Sequence, residues 1–185
     1  MVAFETDPDR IKQIMKSNFA LEAKKYEIDQ GVVNVPKWSV RSFTPMDHLP
    51  VQFGYVQGSF DVSGSQLISL EGSPHTVDGG FYCRNLKITN LVGGAKHVKG
   101  DYWCTENPQL ESLEGCPETL SGKFIVRYTP TLHLLRLLQY SNFHVQKIPF
   151  DVGNILQAFR GQGKPGAIRA AVMLIKAGYK DNAKW

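Results

Sequence analysis

Four stretches decide the fold: VQGSFDV at 56–62, VDGGFYC at 77–83, VKGDYWC at 98–104 and LSGKFIV at 120–126. They share the pattern Val/Leu-x-Gly-x-aromatic-x-Cys/Val and recur every 21 or 22 residues, as their starting positions show. A second pattern keeps step with the first: Leu67-x-x-Leu70, Ile88-x-x-Leu91, Leu110-x-x-Leu113 and Leu132-x-x-Leu135. A third follows the second leucine, as LEGSP at 70–74, LVGGA at 91–95 and LEGCP at 113–117. Three features holding one register exclude chance. A period near 21 falls within the roughly 20–29 residues per turn of leucine-rich-repeat-like solenoids. A turn this small does not bury its own apolar face. It stacks on its neighbours instead, and equivalent residues form columns along the stack.

Strand alternation then sorts the side chains. Read as one strand, VKGDYWC puts Val98, Gly100, Tyr102 and Cys104 on one face and Lys99, Asp101 and Trp103 on the other. The first set matches columns that are apolar in the other repeats, so it faces inward. The outward column at the penultimate position reads Asp61, Tyr82, Trp103, Ile125. Successive strands lie about 4.8 Å apart, so Tyr82, Trp103 and Ile125 are expected to form an apolar patch. Lys99, Asp101 and Lys123 would rim it. Either a terminal segment folds back over the patch, or it binds a partner, with Tyr82, Trp103, Ile125, Lys99 and Lys123 as the contact residues. Aromatic anchors are over-represented at interfaces.

Around the repeat the chain divides into three segments: a cap at 1–48, the solenoid at 49–150 and a tail at 151–185. Asp7 suits a helix N-cap with Pro8 in the first turn, and Ile11, Ile14, Met15, Asn18 and Phe19 follow helical spacing. KYEI-DQG-VVNV at 25–35 reads as a hairpin. LPVQFGYV at 49–56 is a degenerate first turn, and Ile148–Phe150 a partial last one. DVGNILQAFR (151–160) and PGAIRAAVMLIKAG (165–178) read as two helices. Ile168, Ala171, Val172, Leu174 and Ile175 are expected to be the buried side of the second. The fold class is therefore α+β: a short leucine-rich-repeat-like β-solenoid with a helix and hairpin in front and helices behind.

The 185 residues carry 42% hydrophobic and 21% charged side chains, close to a soluble globular average. No apolar run reaches the length of a membrane span, and MVAFETDPDR lacks the pattern of a secretory leader. Three cysteines are few and odd in number, which favours a reducing compartment over a disulfide scaffold. The net charge of +4 falls wholly in residues 151–185, where Arg160, Lys164, Arg169, Lys176, Lys180 and Lys184 face only Asp151 and Asp181. A second function class follows: nucleic-acid binding through Arg160, Lys164, Arg169, Lys176 and Lys180.

The repeat LEG-x-P-x-x-V-x-G-x-F-x-C, followed by GKPGAIRAAVMLIKAGYKDNAKW, resembles a group of short leucine-rich-repeat-like proteins encoded by tailed bacteriophages. The likeness spans nearly the whole chain. LVGGA departs from the pattern by lacking proline, and LSGKFIV by carrying valine in place of cysteine. The resemblance implies a phage-encoded protein acting in the host bacterial cytoplasm or in the virion, and it implies no catalytic residues.

Catalytic and metal patterns are sparse. Cys83 and Cys104 share a column with Val62 and Val126, which marks them as core. No C-x-x-C or H-x-x-x-H pair supports zinc. Cys116 replaces Ser73 at a corner, and the five histidines share no column. GQGKPG lacks the spacing and hydroxyl of a phosphate loop. Glu71 and Glu114 recur as repeats do. No metal, cofactor or catalytic residue is expected. The leading expectation is a non-enzymatic protein–protein interaction module with a host or virion protein as partner and no membrane.

Overall fold

The computed structural model describes residues 3–185. Helix α1 (Pro8–Phe19) opens the chain, and Asp7 caps it by accepting from the Asp9 and Arg10 amides at 3.0 and 2.9 Å. A hairpin follows, with β1 (Glu27–Asp29) antiparallel to β2 (Val32–Val35). Its turn residues Gln30 and Gly31 both have positive φ, the geometry whose twist suits a two-residue hairpin. β2 is also the first strand of the solenoid, because it pairs parallel with the strand Gln52–Val56. The stack thus starts inside the segment read as cap.

The solenoid has about five turns, each supplying one short strand to each of two parallel sheets. In chain order these are β3 (Val40–Arg41), β4 (Gln52–Val56), β5 (Phe60–Asp61), β6 (Thr76–Val77), β7 (Phe81–Tyr82), β8 (His97–Val98), β9 (Tyr102–Cys104), β10 (Thr119–Leu120), β11 (Phe124–Arg127) and β12 (Phe143–Gln146). One sheet runs β1-β2-β4-β6-β8-β10 and the other β12-β11-β9-β7-β5-β3. The returning side is loop and turn in turns two to four, and carries a 3-10 segment, Leu135–Gln139, after the fifth.

Each repeat motif is therefore two strands and a corner, not the single strand that parity suggests. The corner glycine has a different reason from the expected one. Gly100 is half-buried at the bend and presses on the turn below: its amide donates to Gly79 O at 2.9 Å. A Cβ on Gly100 would lie 2.6 Å from the Gly79 carbonyl carbon and the Gly80 nitrogen. Backbone approach along the stack, not core volume, demands glycine there.

Inside, one aromatic per turn stacks on the next. Phe60, Phe81, Tyr102 and Phe124 have successive ring centroids 5.5, 4.9 and 5.2 Å apart at interplanar angles of 24° or less. Phe19 and Phe53 join the ladder at one end and Tyr140 at the other. Buried rings contribute about 1.5–3 kcal/mol each by removal from water, with stacking geometry adding to it. The leucine columns Leu67/Ile88/Leu110 and Leu70/Leu91/Leu113 fill the opposite wall and are buried throughout.

The two ends are closed differently. α1 lays Ile11, Met15 and Phe19 on the first turns. At the far end a 3-10 segment, Leu135–Gln139, is followed by β12, α2 (Phe150–Ala158) and α3 (Gly163–Lys176). The last parallel strand is 143–146, so Ile148–Phe150 is not a partial turn; it leads into α2. α3 packs on the 3-10 segment and on α2. Buried Asn182 ties the tail down: its Nδ2 donates to Leu132 O at 2.8 Å, its backbone O accepts from the Leu134 amide, and Tyr128 donates to its Oδ1 at 3.2 Å. Among the described residues no helix is long and apolar enough to cross a membrane.

Candidate partner-binding face

The second sheet has its inner surface on the aromatic ladder and its outer surface toward solvent. β7, β9 and β11 pair in register, which places Tyr82 beside Trp103 and Trp103 beside Ile125. The full outward column runs Arg41, Asp61, Tyr82, Trp103, Ile125, His144. Tyr82 and Trp103 are half-exposed, with ring centroids 6.5 Å apart. The Trp103 indole is fixed, since its Nε1 donates to Thr105 Oγ1 at 3.0 Å. The Arg84 guanidinium lies 4.9 Å from the Trp103 ring centroid, over the ring. A stacked, hydrogen-bonded indole loses little side-chain freedom on binding.

The C-terminal helices pack at the end of the stack, on the 3-10 segment, and leave Tyr82 and Trp103 accessible. Two expected members differ. Ile125 is only 8% exposed, so the apolar surface is carried by Tyr82 and Trp103. Lys99 is held at the corner by Asp78, 2.9 Å away, which also accepts from the Tyr55 hydroxyl at 2.9 Å. The hydrogen bond from Lys99 is the main reason the Asp78 carboxyl titrates below its ordinary range, and Tyr55 adds to it. Lys123 is exposed, with its amide donating to Asp101 Oδ1 at 2.8 Å.

Sequence reading missed Arg84. The signal was one step further along the same parity, where Ser63, Arg84, Thr105 and Arg127 follow the column of 61, 82, 103 and 125. Beyond them lies a cleft of about 500 Å³ lined by Asn85, Glu106, Asn107, Arg127 and Tyr128 among others. Pro108, Leu110 and Pro130 give this cleft apolar walls as well, and Glu106 and Arg127 place charges of both signs along it.

The tail cations do not form one cluster. Arg160 turns inward, donating to Phe143 O at 3.1 Å and stacking on the Phe143 ring. Arg169 lies over Phe159 and donates to Gln162. Lys164, Lys176 and Lys180 are exposed. All three cysteines are free and buried. Burial is the first cause that pushes the Cys104 thiol well above its ordinary value, with the neighbouring Cys83 next, so thiolate chemistry at Cys104 is suppressed. Among the described residues no group of three or more His, Cys, Asp or Glu is gathered as a metal site would need.

No protein-family model, curated protein or solved structure matches this chain.

Proposed function

We propose that this chain is a non-enzymatic protein–protein interaction module, phage-encoded, which binds a host protein or serves as a small virion component through the outer face of its second sheet. The observation that carries the reading is the Trp103 assembly. An indole stands half-exposed at the centre of a parallel sheet, beside Tyr82, hydrogen-bonded to Thr105 and stacked under Arg84. Trp, Tyr and Arg are the residue types most enriched among interface hot spots, and near the centre of a patch one such anchor is worth about 2 kcal/mol or more. The solenoid holds these groups on strands fixed by the turns above and below, so little is spent on ordering them. Alternation supports the reading as well: the inward neighbours of these residues are aromatic in every repeat for packing, whereas the outward position is free to vary and here carries Tyr and Trp.

Mass spectrometry of purified phage particles separates the two roles, since abundant copies in mature particles indicate a virion component. Capture of a binding protein from infected cells, lost with Trp103→Ala in a folded variant, tests the face itself.

A further inference from the structure

Helix α3 is docked with small residues and a single leucine inward and most of its bulky apolar residues outward. It buries Gly166, Ala167, Ala170 and Leu174. Ile168 is 70% exposed, Val172 49% and Ile175 53%. Of the side that helical spacing predicts to be buried, Leu174 is buried and Ala171 half-buried, whereas Ile168, Val172 and Ile175 face solvent. Their i, i+4, i+7 spacing puts them on one stripe. Along its edge runs a groove of about 410 Å³, with Leu135, Ala167, Ile168, Ala171, Ala183 and Trp185 as walls and floor and Lys164 at its mouth. An apolar stripe continuous with an apolar groove is rare on a finished surface.

We propose that this face of α3 docks an amphipathic helix of a partner protein, one whose apolar stripe is flanked by Asp and Glu. Charge selects that occupant. Lys164, Arg169 and Lys176 stand on α3 around the stripe, and Lys180 follows it. Among the described residues none of the four pairs with a carboxylate, and the tail's own ion pair is Lys184 with Asp181 at 3.0 Å. A second copy of the same face would set these cations against one another. A bilayer is less suited than a helix because the groove is concave and Trp185 forms its wall, half-buried with Arg136 over its ring, instead of projecting. A helix laid along the stripe inserts side chains into such a groove at i, i+3, i+4 and i+7. The inference stands apart from the Trp103 face.

The test uses the full chain and a fluorescein-labelled synthetic helix of about 20 residues, with leucine at i, i+3, i+4 and i+7 and glutamate at the flanking positions. Its counterpart carries lysine in place of glutamate. Fluorescence anisotropy should show saturable binding of the acidic peptide, weakened at high salt. Binding should be about tenfold or more weaker with Ile168→Glu and unchanged with Trp103→Ala. Circular dichroism checks that Ile168→Glu folds. Should it not, the Val172→Ser/Ile175→Ser pair, both exposed, gives the same reading. Equal binding of acidic and basic peptides, or of wild type and variant, overturns the proposal. So does the absence of peptide binding, whether or not the protein sediments with phosphatidylserine vesicles or forms a dimer by light scattering that Ile168→Glu abolishes.

Discussion

The solenoid and helix α3 of its C-terminal cap obey opposite rules. In the turns, every large inward side chain is buried and glycine marks where one backbone rests on the next. In the cap, α2 still buries Val152, Ile155 and Leu156, but α3 turns Gly166, Ala167 and Ala170 inward beside Leu174 while Ile168, Val172 and Ile175 face out, and Phe150 at the start of α2 is 82% exposed. The contrast teaches what each region is selected to hold. A repeat must match its neighbours, so its columns report packing. A cap has no further repeat to match, so the outer side chains of α3 are free of that constraint.

Removing a rung of the ladder should do the most damage. Phe81 stacks between Phe60 and Tyr102 at 5.5 and 4.9 Å. Phe81→Ala should cost about 3–5 kcal/mol, read as a fall in the denaturation midpoint by chemical unfolding. Gly100→Val comes next. Its Cβ has no room against the Gly79 and Gly80 backbone, and about 1–3 kcal/mol or more of overpacking should lower Tm by roughly 2–4 °C for each kcal/mol. An unchanged Tm would mean that the corner contact is not what demands glycine.

Asn182→Ala probes the seam between the two regions. It strands the Leu132 carbonyl and the Tyr128 hydroxyl, with a cost of about 1–3 kcal/mol. Hydrogen exchange should show protection lost in α3 before the inner strands. Equal loss in both would show that body and cap unfold as one unit. Ile168→Ser should move stability by no more than about 0.5 kcal/mol, although it removes a large apolar side chain. A large loss would show that the residue is buried in solution and that the cap obeys the same rule as the turns.

The repeat period, the Asp7 cap, the 25–35 hairpin and the buried Cys83/Cys104 column could all be read from residues, because each rests on local chemistry or on a register repeated several times. The corner within each turn could not. Glycine announces that something comes close, but not whether it is core or backbone. The facing of α3 was hidden for a related reason: Ala167 and Ala170 are apolar too, so helical periodicity does not separate the side that is buried from the side that is exposed. Tyr82 and Trp103 were found by parity, while Arg84 was not, because its partner is an aromatic on an adjacent strand rather than a charge nearby in sequence.

Binding through the outer face is tested most directly by capture from infected cells with the tagged chain and Trp103→Ala side by side, the fold of each checked by circular dichroism and Tm. The variant should keep its fold and lose its partner, with affinity weakened by about 2 kcal/mol or more. Capture unaffected by Trp103→Ala and abolished by Ile168→Glu in a folded protein would contradict binding through the outer face and move the primary binding surface to the cap.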